Sequence, residues 1–589
     1  MNLALLAIAR KAMLDHLVAL YGEQAGHSTF DRLQQLLDRY QGTLPRPIHP
    51  PGLSERDAVL ITYGDQVLRR GVSPLRSLAE LCEQRLAGLI STIHILPFYP
   101  YSSDDGFSVI DYRAVDPALG SWDDIHRLGR HFRLMFDAVI NHVSVQSAWF
   151  RAFLRDDPRY RDYFIVVPEG ADLSQVVRPR TLPLLTRFNT LSGDKLVWTT
   201  FSADQVDLNY ANPQVLLDII DTLLFYVAQG AEFIRLDAVA YLWKEIGTSC
   251  IHLPQTHRVI QLLRAILDLV APHVMLITET NVPHAENVSY FGDGNNEAQL
   301  VYNFALPPLV LHTFRTANAE VLSSWAAGLS LPSARVTFLN FLASHDGIGL
   351  NPVRGILSEA EIEALVEHVL EAGGLVSYKL NADGTQSPYE LNINYFDALA
   401  GCDVGNTLET LAERFMAAQA IMLALVGVPG IYFHSLFGSR GWPEGVQLTG
   451  HKRTINRQKC ERAQLEAELA DQTSLRHLIF SRYAQQLKAR ASSPAFHPHA
   501  SQRVLTKGLQ PAVFGVWRSA PAGGEQVLCL HNVSNARQPV EIALDEQSAT
   551  CEPFSCLTDL LSERSFQLSA ATLKIDLAPY QVCWLKAEA

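Results

Sequence analysis

Short apolar runs alternate with longer amphipathic stretches through the central part of the chain. Runs rich in β-branched and aromatic residues, which favour strands, lie at residues 58–63, 92–96, 134–139 and 428–433. The stretches between such runs have the spacing of apolar positions that favours helices. Strand, helix and strand in repetition predict parallel pairing, because a crossover helix returns the chain to the same edge of a sheet. The pattern therefore predicts a closed α/β barrel.

The most informative run lies at residues 233–239 (FIRLDAV), where two opposite charges interrupt a predicted apolar strand. Side chains alternate between the two faces of a strand, so Arg235 and Asp237 project the same way. On their own they would indicate a buried ion pair. Two further predicted strands also end in carboxylates, at residues 275–279 and 341–346. Carboxylates at the C-terminal ends of several buried strands are typical of the active site of a β/α barrel.

Four regions interrupt or flank this repeat. The two interruptions exceed ordinary barrel connections, and loops of such length are typical of lids or small inserted domains at an active-site mouth. The first residues predict helices that end at a proline-rich stretch, and the last residues predict short strands separated by turns. The predicted fold class is α/β, a (β/α)8 TIM barrel with two inserted loop domains, an N-terminal helical extension and a C-terminal β domain. The predicted bounds are 1–57 for the helical extension, 58–142, 207–346 and 395–493 for the three parts of the barrel, 143–206 and 347–394 for the two insertions, and 494–589 for the β domain.

Composition and charge exclude several classes of protein. The chain has 589 residues, of which 48% are hydrophobic and 19% charged, and this is typical of globular proteins and not of disordered ones. Its formal net charge of −13 argues against nucleic acid or an anionic membrane as a partner. A phosphate ligand would therefore need a local cluster of arginines. No apolar run in the sequence is long enough to span a membrane.

The cysteines and the first residues bear on the compartment. The eight cysteines are scattered and form no short metal-ligand pairs, which predicts a reduced, cytoplasmic setting. A bridge between Cys551 and Cys556 stays open at this stage. Positive charge follows the apolar residues 1–9, at Arg10 and Lys11, instead of preceding them. We therefore interpret this stretch as the start of an amphipathic helix and not as a signal peptide.

The three carboxylates predict glycoside chemistry. A retaining glycosidase needs a carboxylate nucleophile and a second carboxyl that acts first as acid and then as base, about 5 Å apart. Asp237 and Glu279, at the ends of neighbouring barrel strands, meet that need. Arg235 favours the ionised form of Asp237, whereas Glu279 has no cation near it in sequence. Asp346 would supply a third carboxylate that holds sugar hydroxyls.

Four blocks resemble, in order and spacing, the conserved regions of glycoside hydrolase family 13, the α-amylase superfamily: residues 137–142 (DAVINH), 233–237 (FIRLD), 277–279 (ITE) and 344–346 (SHD). The resemblance implies that Asp237 is the nucleophile, Glu279 the acid/base and Asp346 the transition-state stabiliser. It also implies sugar contacts from Arg235, His142 and His345.

Within this family, further stretches resemble the sucrose phosphorylase subfamily: residues 104–111, 178–180, 196–198, 244–250, 304–308 and 346–349. This resemblance implies that Asp104 and Phe107 hold the glucosyl ring, with Phe107 stacked on it, and that Arg457 contacts the sugar. It also implies that Arg180 binds phosphate. Arginine suits phosphate because its planar fork donates two parallel hydrogen bonds.

Two departures from the sucrose enzymes fall where the acceptor should sit. Asn281 replaces their histidine two residues after the acid/base, and Tyr389-Glu390 replaces their Tyr-Gln pair in the loop of the second insertion. The chain as a whole, including its N-terminal extension, more closely resembles members of the subfamily that act on glucosylglycerate. This implies D-glycerate as the acceptor, with Asn281, Tyr389 and Glu390 as contacts. Glu390 would repel a carboxylate, so we expect it to accept a hydrogen bond from a glycerate hydroxyl.

Several alternatives remain at this stage. The acceptor could instead be that of a sucrose, sucrose 6′-phosphate or glucosylglycerol phosphorylase, or the protein could be a retaining α-glucosidase. Some barrel proteins of the superfamily have lost catalysis and serve as binding or transporter-partner subunits, but those lack the catalytic acids and carry a membrane anchor. Many α-amylases bind calcium, yet the first insertion has no dense Asp/Asn loop, so no metal is expected. No cofactor is expected, phosphate is a substrate, the partners are small molecules, and the chain is a monomer or homodimer.

Overall fold

A computed structural model describes residues 3–381, 383–401, 406–544, 556–569 and 572–588. The chain begins with two antiparallel helices, α1 (Leu3–Tyr21) and α2 (Glu23–Tyr40), which we call the N-terminal hairpin. They are joined at Gly22, whose φ of 78° is unfavourable for residues with a Cβ atom. Helix α2 buries Leu33, Leu36 and Leu37, because apolar residues three and four positions apart lie on one face of a helix.

The first part of the barrel comprises β1 (Val59–Thr62), β2 (Val67–Leu68), α3 (Pro74–Arg85), β3 (Thr92–Ile95), α4 (Trp122–Gly129) and β4 (Arg133–Ala138). The first insertion contains β5 (His142–Ser144), α5 (Ala148–Leu154), β6 (Leu185–Thr190), β7 (Gly193–Trp198) and β8 (Gln205–Asp207). Strands β5 and β8 pair, so the beginning and the end of the insertion lie side by side above the barrel.

The middle of the barrel comprises α6 (Pro213–Ala228), β9 (Ala231–Leu236), α7 (Pro254–Val270), β10 (Met275–Thr278), α8 (His284–Asn287), β11 (Leu300–Tyr302), α9 (Leu306–Thr316), α10 (Glu320–Ala327) and β12 (Thr337–Asn340). The second insertion contains β13 (Ile348–Gly349), α11 (Glu359–Glu371), β14 (Leu375–Leu380) and β15 (Gln386–Asn392). These three strands form one antiparallel sheet with β15 at its centre.

The last part of the barrel comprises α12 (Tyr395–Ala400), α13 (Leu408–Ala424), β16 (Val428–Tyr432), α14 (Phe433–Leu436), α15 (Pro443–Thr449), β17 (Cys460–Glu461), α16 (Arg462–Ala470) and α17 (Leu475–Ala491). The barrel closes in the order β1-β16-β12-β11-β10-β9-β4-β3, and every neighbouring pair is parallel. Its strands are almost entirely buried, as expected where helices cover a parallel sheet.

The C-terminal domain is built from β18 (Ser501–Val504), β19 (Val513–Ser519), β20 (Gln526–Asn532), β21 (Gln538–Ala543), β22 (Cys556–Asp559), β23 (Ser565–Gln567), β24 (Thr572–Leu577) and β25 (Val582–Glu588). Six strands form a sheet in the order β18-β19-β20-β25-β22-β23, and β21 pairs with β24. The predicted fold class is therefore confirmed. Cys551, one partner of the bridge left open above, lies outside the described residues.

Two strand predictions need correction. The predicted strand at residues 341–346 is wrong, because β12 ends at Asn340, where the residue paired with it is Pro429, which has no N–H to donate. The acid Asp346 thus lies in the connection after the strand. Strand β11 was not predicted, because three residues are too few to show a periodicity. None of the helices in the described ranges combines the length and hydropathy that crossing a bilayer requires.

Candidate active site

A pocket opens at the C-terminal ends of the barrel strands, between the two insertions. Every predicted site residue lines it except Arg235 and Arg457: Asp104, Phe107, His142, Arg180, Asp237, Glu279, Asn281, His345, Asp346, Tyr389 and Glu390. The pocket is also lined by residues that were not predicted, among them Phe201, Gln205, Tyr241, Phe304 and Arg453. Residues from distant parts of the sequence meet here because the C-terminal ends of all eight parallel strands face the same way.

Arg235 holds the carboxylates of the pocket in place from below. Its Nη1 donates to Asp137, at the end of β4, and to Oδ1 of Asp237 at 3.1 Å. His94 lies 2.7 Å from the other oxygen of Asp137. Burial would raise the pKa of Asp137, but the charge of Arg235 and the contact with His94 lower it to about 2. A permanently ionised Asp137 therefore anchors Arg235, and Arg235 in turn orients Asp237.

Glu279 lies beside Asp237, as expected from the pairing of β9 with β10. Its Oε2 accepts a hydrogen bond from the backbone N–H of Ala238 at 3.0 Å and lies 3.8 Å from Nη2 of Arg235. Ala238 has a φ of 48°, a left-handed conformation that is rare for residues other than glycine. This strained residue aims the backbone N–H at the carboxyl group, so the connection after β9 positions Glu279 directly.

The protonation of the two carboxyls is set by burial first. Burial raises the pKa of Asp237 well above its ordinary value and also raises that of Glu279, while the charge of Arg235 opposes both shifts. The sequence led us to expect that Arg235 keeps Asp237 ionised. The charge of Arg235 does lower the pKa of Asp237, but burial raises this pKa by more. Two buried carboxyls in contact favour a state with one proton between them. The direct contact of Arg235 with Asp237 favours the charge on Asp237 and the proton on Glu279.

Asp346 is held by an arginine that sequence reasoning missed. Nη1 of Arg453 lies 2.6 Å from Oδ1 of Asp346, and Nε2 of His345 lies 3.5 Å from the other oxygen. Burial would raise the pKa of Asp346, but Arg453 and then His345 lower it well below its ordinary value. The sequence did contain a signal for Arg453. It lies four residues before Arg457, a predicted sugar contact, and residues at this spacing lie on the same face of a helix.

Arg453 also binds Glu390 in a bidentate ion pair. Nε and Nη2 of Arg453 donate to the two carboxylate oxygens of Glu390 at 2.9 and 2.6 Å, and one of these oxygens accepts from the backbone N–H of Gly347 at 3.1 Å. Tyr389 and Glu390 lie in strand β15 and not in a loop, which corrects the sequence expectation. Since both oxygens of Glu390 are engaged, its structural contribution here is to orient Arg453.

The opposite side of the pocket is polar and strained. Asp104 and Asp105 have φ angles of 54° and 49°. Asp105 forms an ion pair with Arg457, and Arg457 donates through Nε to the carbonyl of His345 at 2.9 Å. Arg457 is thus placed behind the pocket and braces its wall. Non-glycine residues in this conformation persist where their surroundings hold them, and they are frequent at ligand sites.

Two stacked rings, an imidazole and the amide of Gln205 also line this part of the pocket. The ring of Phe107 is stacked on that of His345, with centroids 4.8 Å apart and an angle of 3° between the planes. His142 lies with its Nε2 2.9 Å from the carbonyl oxygen of Phe107 and 3.2 Å from Nε2 of Gln205. Gln205, which was not predicted, also reaches Asp104 at 3.3 Å. Burial lowers the pKa of His142, so we treat this imidazole as neutral.

Arg180 enters the pocket from the first insertion and meets two tyrosines. Burial raises the pKa of Tyr241 and Tyr389 above the ordinary value, and the charge of Arg180 acts against this in both. Asn281 lies nearby, and its buried side-chain oxygen has no hydrogen-bond partner among the described residues. An arginine, two hydroxyl groups and an unpaired amide thus face the space beside Glu279. This is where an acceptor or a phosphate would approach.

A buried lysine lies behind His142. The side chain of Lys244 is only 2% exposed, and its Nζ lies 2.5 Å from Asp207 and 2.7 Å from the amide oxygen of Asn141. The ammonium group thus lies between the carboxylate of Asp207 and the amide oxygen of Asn141. Within the described part of the chain, no three His, Cys, Asp or Glu side chains are grouped so as to hold a metal ion.

Known proteins match the chain over nearly its whole length. The family profile described as alpha amylase, catalytic domain, matches residues 86–346. The chain is 50% identical to the glucosylglycerate phosphorylase of Spirochaeta thermophila, over 97% of this chain and 98% of that protein. It is 52% identical to that of Allomeiothermus silvanus, over 90% of this chain and 94% of that protein. The crystal structure of sucrose 6F-phosphate phosphorylase from Thermoanaerobacter thermosaccharolyticum has a TM-score of 0.71 at 22% identity, over 87% of this chain and 98% of that chain, and supports the fold.

Proposed function

The chain belongs to the α-amylase family, glycoside hydrolase family 13, and we propose that it is a retaining phosphorylase of 2-O-α-D-glucosyl-D-glycerate. It transfers the glucosyl group reversibly to phosphate and releases α-D-glucose 1-phosphate and D-glycerate. The observation that carries this function is the meeting of Asp237, Glu279 and Arg180 in one pocket. The identity of 50% to a glucosylglycerate phosphorylase over 97% of the chain supports it.

The first half-reaction uses the two carboxyls in different roles. Asp237 attacks the anomeric carbon, while Glu279 gives its proton to the glycerate oxygen as the glycosidic bond breaks. The product is a β-glucosyl enzyme, with the sugar bound to Asp237, and free glycerate. Asp346, which its neighbours keep ionised, stabilises the positive charge that develops on the sugar ring.

The second half-reaction replaces glycerate by phosphate. A phosphate oxygen attacks the anomeric carbon from the side that glycerate has left, and the bond to Asp237 breaks. Two inversions give net retention, so the product is the α-anomer. Phosphate is already an anion at neutral pH, so this step depends on a general base less than attack by water does. Arg180 concentrates phosphate at this place in a chain with a net charge of −13.

Arg453 supports the choice of an anionic acceptor. Its Nε and Nη2 donate to Glu390, and its Nη1 lies 2.6 Å from Oδ1 of Asp346 in an ion pair. A guanidinium group has five N–H donors, so each terminal nitrogen keeps one more. Such N–H groups of a charged guanidinium form strong hydrogen bonds to a carboxylate. We propose that they bind the carboxylate of glycerate, while Asn281 and Tyr389 contact its hydroxyl groups.

The test compares three donors with and without phosphate. Glucosylglycerate, sucrose and glucosylglycerol are incubated in parallel, and glucose 1-phosphate, its anomeric form and free glucose are measured. We expect phosphate-dependent release of the α-anomer, with glucosylglycerate the best donor by kcat/KM. Free glucose formed equally fast without phosphate would make the protein a hydrolase. A preference for sucrose or glucosylglycerol would overturn the acceptor assignment.

The partners are the sugar and phosphate substrates. We also propose that the protein works in the cytoplasm, without nucleic-acid or membrane partners, as a monomer or homodimer. Six cysteines in the described ranges are buried free thiols, which supports a reducing compartment: Cys82, Cys250, Cys460, Cys529, Cys556 and Cys583.

A further inference from the structure

The connection that follows β9, residues 237–253, forms one wall of the pocket. We call it the nucleophile loop. Ala238 and Tyr241 line the pocket, and the N–H of Ala238 binds Glu279. Three residues of this loop other than glycine, Ala238, Cys250 and His252, have φ angles of 48°, 53° and 55°. This conformation is unfavourable for residues with a Cβ atom, so the loop keeps this shape only because its surroundings hold it.

One support comes from the first insertion. The carbonyl of Ser249 accepts a hydrogen bond from the N–H of Val177 at 3.0 Å, three residues before Arg180. Cys250 packs into a small apolar cluster of this insertion with Val176 and Trp198. The shape of the nucleophile loop is therefore linked to the position of the segment that carries Arg180.

Another support comes from the N-terminal hairpin. The ring of Tyr21 lies 6.4 Å from that of Trp243, in the middle of the nucleophile loop. The hydroxyl of Tyr21 donates to the carbonyl of Tyr210 at 2.9 Å, and the hydroxyl of Tyr210 donates to the carbonyl of Ile140 at 2.8 Å, two residues before His142. Tyr21 thus touches both the nucleophile loop and the end of the first insertion.

We propose that Tyr21 is a positioning residue for the use of phosphate. Tyr21 fixes Trp243, the nucleophile loop holds Val177 through Ser249, and Val177 fixes the segment of Arg180. Tyr21 reaches the nucleophile loop at Trp243, whereas other contacts hold the first residues of the loop: Arg235 of β9 binds Asp237, and Ala238 binds Glu279. Loss of Tyr21 should therefore affect the use of phosphate more than formation of the glucosyl enzyme. This inference rests on the proposed function, in which Arg180 binds phosphate.

The chain offers a matched control in the same hairpin. Tyr40 also ties the hairpin to the barrel, because its hydroxyl donates to Asp221 of α6 at 2.9 Å, but Asp221 does not line the pocket. We would compare Tyr21→Ala and Tyr40→Ala with the wild type. The measurements are the KM for phosphate, the share of donor that is hydrolysed at fixed phosphate, and the pre-steady-state release of glycerate without phosphate.

We expect Tyr21→Ala to raise the KM for phosphate about tenfold, because small displacements of a positioning group cost one to two orders of magnitude. The hydrolysed share should rise, while glycerate release stays within about twofold, because Arg235 and Glu279 hold the first residues of the loop independently of Tyr21. Tyr40→Ala should change neither the KM nor the hydrolysed share. Tyr21→Phe keeps the ring but removes the hydrogen bond to Tyr210 that orients this ring against Trp243, so it should raise the KM less, about threefold.

Three results would overturn the proposal. They are an unchanged KM for phosphate in the Tyr21 variants, an equal change of this KM in Tyr40→Ala, and an equal reduction in the rates of both half-reactions in Tyr21→Ala. If Tyr21→Ala does not fold, Tyr21→Phe decides by the same readouts. Failure of the proposed function is visible separately, because wild-type protein would then release no glucose 1-phosphate.

Discussion

At the scale of single residues, the proposed chemistry depends on the unequal distances between Arg235 and three carboxyl groups. Its shortest contacts go to Asp137 and Asp237, and Glu279 lies farther away at 3.8 Å. Burial raises the pKa of both groups, and this one cation favours the charge on Asp237 over the charge on Glu279. Enzymes of this kind need two carboxyls with different protonation states at the same pH, and the difference arises from such unequal contacts.

The pH dependence of the reaction tests whether Asp237 carries the charge and Glu279 the proton. The first half-reaction needs Asp237 without a proton and Glu279 with one, so kcat/KM for glucosylglycerate should have an acid and an alkaline limb. Burial raises the pKa of both groups, so both limbs should lie above the ordinary carboxyl range of about 4–4.5. Glu279→Gln cannot lose a proton, so with α-glucosyl fluoride, whose leaving group needs none, only the acid limb should remain. An alkaline limb that persists in Glu279→Gln would assign this limb to another group, and Asp237→Asn should be inactive with both donors.

Removal of the Arg180 charge should weaken phosphate binding selectively. Loss of a charge-assisted bidentate contact costs about 1.5–3 kcal/mol, or on the order of tenfold to a hundredfold in affinity. We expect Arg180→Ala to raise the KM for phosphate by that factor and to increase the hydrolysed share, while the glucosyl enzyme still forms. The control is Arg187→Ala, which removes an exposed cation from β6 of the same insertion. An unchanged phosphate KM in Arg180→Ala would remove Arg180 from the site.

At the scale of elements, the first insertion is fastened to the barrel by a buried charge. Lys244 of the nucleophile loop contacts Asp207 at the end of β8 and Asn141 at the beginning of the insertion. Asp207 also accepts hydrogen bonds from the backbone N–H and the hydroxyl of Thr200. The nucleophile loop, the end of β8 and the beginning of the insertion therefore meet at the ammonium group of Lys244, close to His142.

Lys244→Met tests how strongly this ion pair stabilises the fold. The substitution leaves Asp207 buried without its cation, and breaking a buried pair from one side costs about 3–5 kcal/mol. We expect the free energy of unfolding to fall by this amount in a urea titration. Lys195→Met is the matched control, because its partner Asp156 lies in the same insertion but is more exposed, and it should have a much smaller effect. Equal effects of the two substitutions would contradict the assigned role of Lys244.

The sequence allowed the elements to be predicted better than their contacts. The periodicity of buried strands indicated the barrel, and the acids at strand ends indicated where its active site lies. The position of Asp346 in a connection was missed, because the end of β12 depends on its partner Pro429, about ninety residues later in the chain. Arg453 was missed for the same reason, since its two carboxylate partners, Asp346 and Glu390, are far from it in sequence. Periodicity predicts elements, but not which charges meet across them.

At the scale of the whole molecule, a buried arginine connects separate parts of the chain. Arg490, on α17, donates to the carbonyl oxygens of Asp57 at 3.0 Å, Phe496 at 3.1 Å and Gly427 at 3.3 Å. These carbonyls belong to the segment before β1, the segment before the C-terminal domain, and the entry to β16. The first and last strands of the barrel and the C-terminal domain therefore meet at one side chain.

Arg490→Met should destabilise the protein as a whole. It leaves at least three buried carbonyl groups without their donor, and each such group costs about 1–3 kcal/mol. We expect the free energy of unfolding to fall by at least about 2 kcal/mol, measured by urea denaturation. Arg537→Met, which removes an exposed pair with Asp576, should be nearly neutral. Wild-type stability in Arg490→Met would show that the carbonyl contacts contribute little.

The double ion pair of Arg453 has a consequence for the evolution of this enzyme. One guanidinium group orients Asp346, which the proposed reaction uses, and pairs with Glu390, which lines the same pocket. A lineage that replaces Glu390 alone leaves a cation free to draw Asp346 out of place. One that replaces Arg453 alone leaves Glu390 buried without a counter-ion, and Asp346 with Arg457 at 3.8 Å as its remaining cation. Positions 390 and 453 should therefore change together or not at all. Acceptor preference in such a lineage would shift by paired replacements, with inactive single variants between the two active states.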